Sequence, residues 1–100
     1  MRILLCCSAG MSTSLLVARM KKVAQERQLQ VEIEAIPAAD FESRLDEADV
    51  ALLGPQIRYR LNDFKKVAAA RGKPLDIIDM MAYGTVNGAK VLDQALALIR

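Results

Sequence analysis

The chain has 100 residues, of which 53% are apolar and 26% are charged, values that suit one soluble globular domain with no room for a second core. Fourteen basic and twelve acidic residues leave a net charge of +2, which gives no indication of a nucleic-acid partner. The apolar run at residues 3–7 is too short for a signal peptide or a membrane span, so we expect a cytoplasmic protein.

Four short apolar runs alternate with longer amphipathic stretches along the chain. The runs cover residues 3–6, 31–36, 50–53 and 75–78. The first and third are apolar throughout, which predicts strands covered on both faces. The second alternates apolar and charged residues, which predicts a half-exposed strand at a sheet edge.

Helical spacing of apolar residues follows these runs. The stripes comprise Leu16, Met20, Val23 and Ala24, then Ile57, Leu61, Phe64 and Ala68, and finally Leu92, Ala95, Leu96 and Ile99. Between the first two stripes, Asp40 is expected to cap a short helix that buries Phe41 and Leu45. Asn62 is expected to cap the next helix, which ends at Gly72.

The alternation of strands and helices predicts an α/β fold, a single four-stranded parallel sheet in the order 2-1-3-4 with helices on both faces. Such a sheet resembles a flavodoxin fold that lacks its last strand. Ligands of these sheets bind beyond the carboxyl ends of the strands, where the winding direction reverses. The loops at residues 7–14, 54–57 and 79–84 are therefore the expected site.

The segment after the first strand is suited to holding an anion. Gly10 can adopt a left-handed backbone angle, which would turn successive amides inward, and the helix that follows adds its free N–H groups. We expect Ser8, Ala9, Gly10, Met11, Ser12, Thr13 and Ser14 to bind phosphate. The same donors would lower the pKa of Cys7 below its free value of about 8.5 and make it the nucleophile. This hypothesis requires the Cys7 sulfur to face those amides and not to be packed in the interior.

Other interpretations of the cysteines stay open. Adjacent cysteines in a chain without histidine do not suit a structural disulfide or a zinc site, and Cys6 is expected to be a buried small hydrophobe. A low-molecular-weight cysteine phosphatase or arsenate reductase shares the strand–cysteine–loop–helix geometry. That class has a Cys-x5-Arg motif, and Thr13 stands at the position of its arginine in this chain, which argues against hydrolysis. Asp79 could nevertheless protonate a leaving group. A non-catalytic regulatory module that binds phosphate is a further alternative.

The loops beside Cys7 are expected to form a rim that contacts partners. The predicted rim residues are Met11, Gly54, Pro55, Gln56, Ile57 and Tyr83. Met80 and Met81 are expected to pack in the core. The charges of Arg58, Arg60, Lys65 and Lys66 are expected to solvate a helix face or to steer an acidic partner.

Three segments resemble the lactose/cellobiose-type enzyme IIB of the bacterial sugar phosphotransferase system. The segments are Cys-Ser-Ala-Gly-Met-Ser-Thr-Ser-Leu-Leu-Val at residues 7–17, Leu-Leu-Gly-Pro-Gln-Ile at 52–57, and Ile78-Asp79 followed by Tyr83-Gly84. The resemblance spans nearly the whole chain, so residues 1–100 would form one IIB domain with a phosphotyrosine-phosphatase-like fold. One departure is Cys6, at a position that is often a bulky apolar residue in this family.

The resemblance implies a function in some detail. Cys7 would be the phosphorylated cysteine of a phosphotransferase, with a phosphohistidine of enzyme IIA as donor and a sugar bound by the membrane enzyme IIC as acceptor. The sugar would be a β-linked disaccharide such as cellobiose, chitobiose or lactose. No metal or other cofactor is expected. The protein would be a monomer that associates with the membrane only transiently, through enzyme IIC.

Overall fold

A four-stranded parallel sheet forms the centre of the computed structural model, which describes residues 1–8 and 11–99, with the backbone alone at residues 11 and 12. The strands are β1 (Arg2–Cys7), β2 (Glu32–Pro37), β3 (Val50–Leu53) and β4 (Leu75–Ile77). Their order is β2-β1-β3-β4, and every pairing is parallel. The predicted fold class, strand order and edge position of β2 are therefore confirmed.

The helices lie between the strands and after β4. They are α1 (Met11–Glu26), α2 (Phe41–Arg44), α3 (Leu61–Ala70), α4 (Met80–Gly84) and α5 (Gly88–Ile99). Short 3₁₀ turns occupy Ala38–Asp40, Leu45–Glu47 and Pro55–Arg60. In the described part of the chain, no helix combines the length and the apolar character needed to cross a bilayer.

The two predicted helix caps are wrong. Asp40 precedes α2, but its side chain makes no capping hydrogen bond, because a 3₁₀ turn already leads into the helix. α3 begins at Leu61 after Arg60, so Asn62 lies inside the helix. The predicted end is close to the observed one: α3 stops at Ala70, and Gly72 has a left-handed φ of 67°.

A short helix, α4, replaces the predicted loop after β4. Asp79 caps it, since its carboxylate accepts a hydrogen bond from the Ala82 amide at 2.9 Å. The signal for this cap was an aspartate directly before an apolar pair, whereas Asp79 was expected in a loop and as a possible proton donor.

Side chains of β1 alternate between two separate apolar cores. Odd-numbered residues pack on the α1 face of the sheet, which is built from Ile3, Leu5, Leu16, Met20, Val91 and Leu92, among others. Even-numbered residues pack on the α3 face, which includes Leu4, Cys6, Phe41 and Phe64. Since successive strand side chains point to opposite faces, the side chains of Cys6 and Cys7 project to opposite sides of the sheet.

Close contact between α1 and α5 fixes α1 on its face of the sheet. A Cβ atom at Gly88 would lie 2.7 Å from the backbone nitrogen of Met20 and 2.7 Å from the carbonyl carbon of Arg19. The absence of a side chain at Gly88 therefore allows the first turn of α5 to rest directly on the backbone of α1.

Candidate active site

Cys7 is the last residue of β1 and lies at the carboxyl end of the sheet. It is a free cysteine with 0% of its surface exposed. By the alternation of β1 it shares the α1 face with Leu5, and among the described residues it belongs to neither apolar core cluster. The expectation that the sulfur avoids the interior is wrong in this structure, whereas the role of Cys7 in phosphoryl transfer stays a prediction.

The start of α1 lies next to Cys7 in the chain and on the same face. α1 begins at Met11, so residues 11–14 form its first turn and the predicted loop is shorter than residues 7–14. The first amides of a helix have no partner within the helix and carry the positive end of its dipole. The site therefore offers donors to an anion at the carboxyl end of β1.

Thr13 has the least expected environment of the candidate residues. Its side chain is 0% exposed, and it is the one polar residue that is buried among those the structure describes. Within that same set, Thr13 Oγ1 is also the one buried side-chain oxygen without a hydrogen-bond partner. An unpaired buried hydroxyl costs about 1–3 kcal/mol, so this group is kept at a cost to stability.

The remaining candidates for phosphate binding divide into three groups. Ser8 is exposed after β1, and Ser14 is exposed on α1. Ala9 and Gly10 lie outside the described residues, as do the side chains of Met11 and Ser12. The predicted left-handed angle at Gly10 and the contact role of Met11 therefore stay predictions.

Cys6 differs from Cys7 in its surroundings. It packs in the apolar core of the α3 face, which confirms the prediction of a buried small hydrophobe. Burial raises the pKa of the Cys6 thiol to about 12, and the neighbouring Cys7 adds to this while Arg60 opposes it. Cys6 therefore remains a neutral thiol at physiological pH and is unsuited to nucleophilic attack.

Two rim loops are joined by side-chain and backbone hydrogen bonds. Gly54 N donates to Cys6 O at 2.8 Å, which ties the loop after β3 to the end of β1. Gln56 Nε2 donates to the Tyr83 hydroxyl at 2.8 Å, which ties the same loop to α4. A Cβ atom at Gly54 would lie 2.3 Å from Gln56 Oε1, so glycine makes room for this amide.

Three predictions about side chains near the rim need correction. Ile57 was expected at the rim but is 1% exposed. Its side chain faces inward from the 3₁₀ turn and packs in the core of the α3 face. Met80 and Met81 were expected in the core but are 62% and 73% exposed. The turn of α4 points Ala82 inward in their place.

Asp79 is poorly suited to protonate a leaving group. The hydrogen bond from the Ala82 amide holds the pKa of its carboxyl below the usual value, and Lys90, 3.4 Å away, adds to this. A general acid at neutral pH needs a raised pKa instead. Asp79 therefore serves α4 and α5 as a cap and an ion-pair partner.

Known proteins share both the sequence and the fold of this chain. A family model, "PTS system, Lactose/Cellobiose specific IIB subunit", matches residues 2–94. The oligo-beta-mannoside-specific EIIB component of Bacillus subtilis (strain 168) is 42% identical over 98 residues, which cover 98% of this chain and 95% of that protein. The galactose-specific EIIB component of Lactococcus lactis subsp. cremoris is 44% identical over 98 residues, or 93% of this chain and 91% of that protein.

Solved structures agree with these relatives. The solution structure of a cellobiose-specific IIB component from Borrelia burgdorferi has a TM-score of 0.84 and 41% identity, and covers 99% of this chain and 91% of that chain. The lactose-specific IIB domain from Streptococcus pneumoniae has a TM-score of 0.89 at 18% identity, covers 100% of this chain and 98% of that one, and supports the fold alone.

The family match and these relatives identify a phosphotransferase of the bacterial sugar phosphotransferase system. The chain belongs to the lactose/cellobiose IIB family.

Proposed function

We propose that Cys7 accepts a phosphoryl group from a phosphohistidine of enzyme IIA and passes it to a sugar bound by the membrane enzyme IIC. Thr13 is the observation that supports this best. Its buried, unpaired hydroxyl lies in the first turn of α1, on the face and at the end of the sheet where β1 ends in Cys7. A phosphoryl oxygen on the sulfur would supply the partner that Thr13 lacks.

The transfer consists of two in-line displacements. In the first, the Cys7 thiolate attacks phosphorus, the S–P bond forms, and the P–N bond breaks with its electron pair returning to the donor imidazole. In the second, a sugar hydroxyl attacks, the S–P bond breaks, and the thiolate is released while the hydroxyl proton passes to a base of the acceptor complex. Helix amides and the Thr13 hydroxyl hold the phosphoryl oxygens as charge spreads over them.

The buried position of Cys7 adds a requirement to this mechanism. A donor imidazole must approach the sulfur in line, yet the sulfur has no exposed surface. Transfer therefore includes a step that uncovers Cys7. In the folded protein, labelling of Cys7 by a small alkylating reagent should then be slower than labelling of a cysteine in the unfolded chain.

The family supports a proposal for the sugar and for the cellular setting. The relatives and the Borrelia burgdorferi structure are named for oligo-beta-mannoside, galactose and cellobiose. We assign an oligosaccharide, with a β-linked disaccharide as the first candidate. The protein would work as a monomer in the cytoplasm and reach the membrane only while bound to enzyme IIC.

Mass spectrometry of the phosphorylated protein tests the proposal. The chain is incubated with phosphoenolpyruvate, the general phosphotransferase proteins and an enzyme IIA of the lactose/cellobiose type. One phosphoryl group is expected on Cys7, absent from Cys7→Ser and retained in the matched control Cys6→Ser. Modification of another residue, or none in the wild type, contradicts the proposal.

A phosphatase assay covers the enzymatic alternative. A carrier should not turn over p-nitrophenyl phosphate repeatedly. Sustained hydrolysis that Cys7→Ser abolishes would show a phosphatase instead of a carrier.

A further inference from the structure

Three of the exposed large apolar side chains lie in the segments that follow β3 and β4. Tyr59, Met80 and Met81 have exposed fractions of 76%, 62% and 73%. We call these three residues the rim patch. Soluble proteins seldom leave neighbouring large apolar groups such as Met80 and Met81 in water unless a partner covers them.

The rim patch is assembled from two loops that are held together. Tyr59 follows β3 in the 3₁₀ turn, whereas Met80 and Met81 begin α4 after β4. Arg58 crosses between them, with Nη1 3.9 Å from the Met80 sulfur, and the bond between Gln56 and Tyr83 fixes the same two segments. The two segments that carry the patch are therefore tied together at the carboxyl ends of β3 and β4.

Positive charge at the rim patch is not neutralised within the chain. Four other arginines form ion pairs with carboxylates, namely Arg2, Arg27, Arg44 and Arg71. In the described part of the chain, neither Arg58 nor Arg60 has a carboxylate within 4.0 Å; Arg60 instead lies 4.7 Å above the Phe64 ring. The nearby carboxylate of Asp79 is already shared between Ala82 and Lys90.

We propose that the rim patch, together with Arg58 and Arg60, docks the phosphoryl donor protein through an apolar surface bordered by carboxylates. The inference rests on the proposed function, because a donor protein that transfers a phosphoryl group to Cys7 must cover this end of the sheet. Methionine side chains adapt to a partner that has to leave again. A second copy of the chain is a poor fit, since a two-fold interface through this patch would bring like charges together.

Steady-state transfer from phosphorylated enzyme IIA tests the patch. Met80→Ser with Met81→Ser, and separately Arg58→Glu, should each lower kcat/KM about tenfold or more, mainly through KM. Added salt should slow the wild type but have little effect on Arg58→Glu. The matched controls are Leu29→Ser and Lys22→Glu, exposed near the far end of α1, which should stay within about twofold of the wild type.

The outcomes separate this inference from the proposed function. If wild-type Cys7 is not phosphorylated at all, the proposed function fails. If it is phosphorylated and both rim variants, shown to be folded by circular dichroism, keep wild-type KM, the docking surface is elsewhere. A third outcome concerns vesicles that contain phosphatidylglycerol. If the wild type binds them, the methionine variant does not, and transfer is the same in both, the patch is a lipid contact and the inference is overturned.

Discussion

Gln56 and Tyr83 join the two loops that border the candidate site, with Gln56 Nε2 donating to the Tyr83 hydroxyl at 2.8 Å. The two residues are 27 positions apart in the chain and follow different strands. Because Gly54 in the same loop also bonds to the Cys6 carbonyl, the loop after β3 links the end of β1 to α4.

A double-mutant cycle measures the contribution of this bond. Gln56→Leu and Tyr83→Phe should each reduce the free energy of unfolding, and together by less than their sum, with a coupling of about 0.5–1.5 kcal/mol. Urea unfolding of the four proteins gives the value. Strict additivity would show that the bond does not stabilise the fold.

Gly54→Ala should mimic the loss of that bond. Its new Cβ would displace the Gln56 amide, because that atom would lie 2.3 Å from the amide oxygen. In the Gly54→Ala background, Tyr83→Phe should then cost less than it does in the wild type. An unchanged cost would mean that the amide keeps its hydrogen bond by moving elsewhere.

Thr13→Val should separate stability from function. Replacing the unpaired hydroxyl by a methyl group should maintain the free energy of unfolding or raise it by about 1 kcal/mol, because no hydrogen bond is lost. Transfer to Cys7 should slow at least about tenfold through the loss of an oxyanion donor. Thr85→Val is the control, since the Thr85 hydroxyl donates to Met81 O at 2.8 Å and its removal should not stabilise the protein. A destabilised Thr13→Val with full transfer rate contradicts this account.

Cys6 makes stability sensitive to alkaline pH. Its pKa is about 12 in the fold and 9.0 without burial, so between these values the unfolded chain loses a proton that the folded chain keeps. The contribution of the neutral Cys6 thiol to the free energy of unfolding is complete below pH 9.0. It falls as the pH rises further, by at most about 1.4 kcal/mol per pH unit. Urea midpoints from pH 8 to about 10.5 should therefore fall more steeply for the wild type than for Cys6→Val, whereas parallel curves would show that Cys6 does not contribute.

Gly88→Ala should weaken the packing of α5 on α1. The added methyl would lie 2.7 Å from two backbone atoms of α1, which cannot move aside as a side chain can. We expect a loss of about 1–3 kcal/mol in the free energy of unfolding. Gly84→Ala is the matched control, because nothing lies within 4 Å of its Cβ position, and it should cost little. Equal effects at the two positions would contradict the close contact.

Long-range patterns in the sequence were sufficient to predict the sheet. The apolar runs that became β1 and β3 are buried on both faces, and the alternating run became edge strand β2, because burial follows the side-chain period of each strand. The capping roles predicted for Asp40 and Asn62 were wrong because 3₁₀ turns lead into both helices. Turns this short produce no regular spacing of apolar residues in the sequence.

The site was predicted less completely than the sheet. Cys7 was identified by its position between an apolar run and a small polar segment, but its burial depends on packing across the end of the sheet. The exposure of Met80 and Met81 follows from a helix of five residues, too short for an amphipathic pattern to appear. Hydroxyl-rich composition likewise predicted phosphate binding by Thr13 but gave no sign that the fold buries its side chain.

The opposite orientations of Cys6 and Cys7 limit how this protein can respond to oxidants. Neighbours in an extended strand cannot bring their sulfur atoms to bonding distance without breaking the strand pairing that holds Cys6 beside Leu53. Cys6 is therefore unable to act as a resolving thiol, and an oxidised Cys7 would have to be repaired by a reductant from outside the molecule.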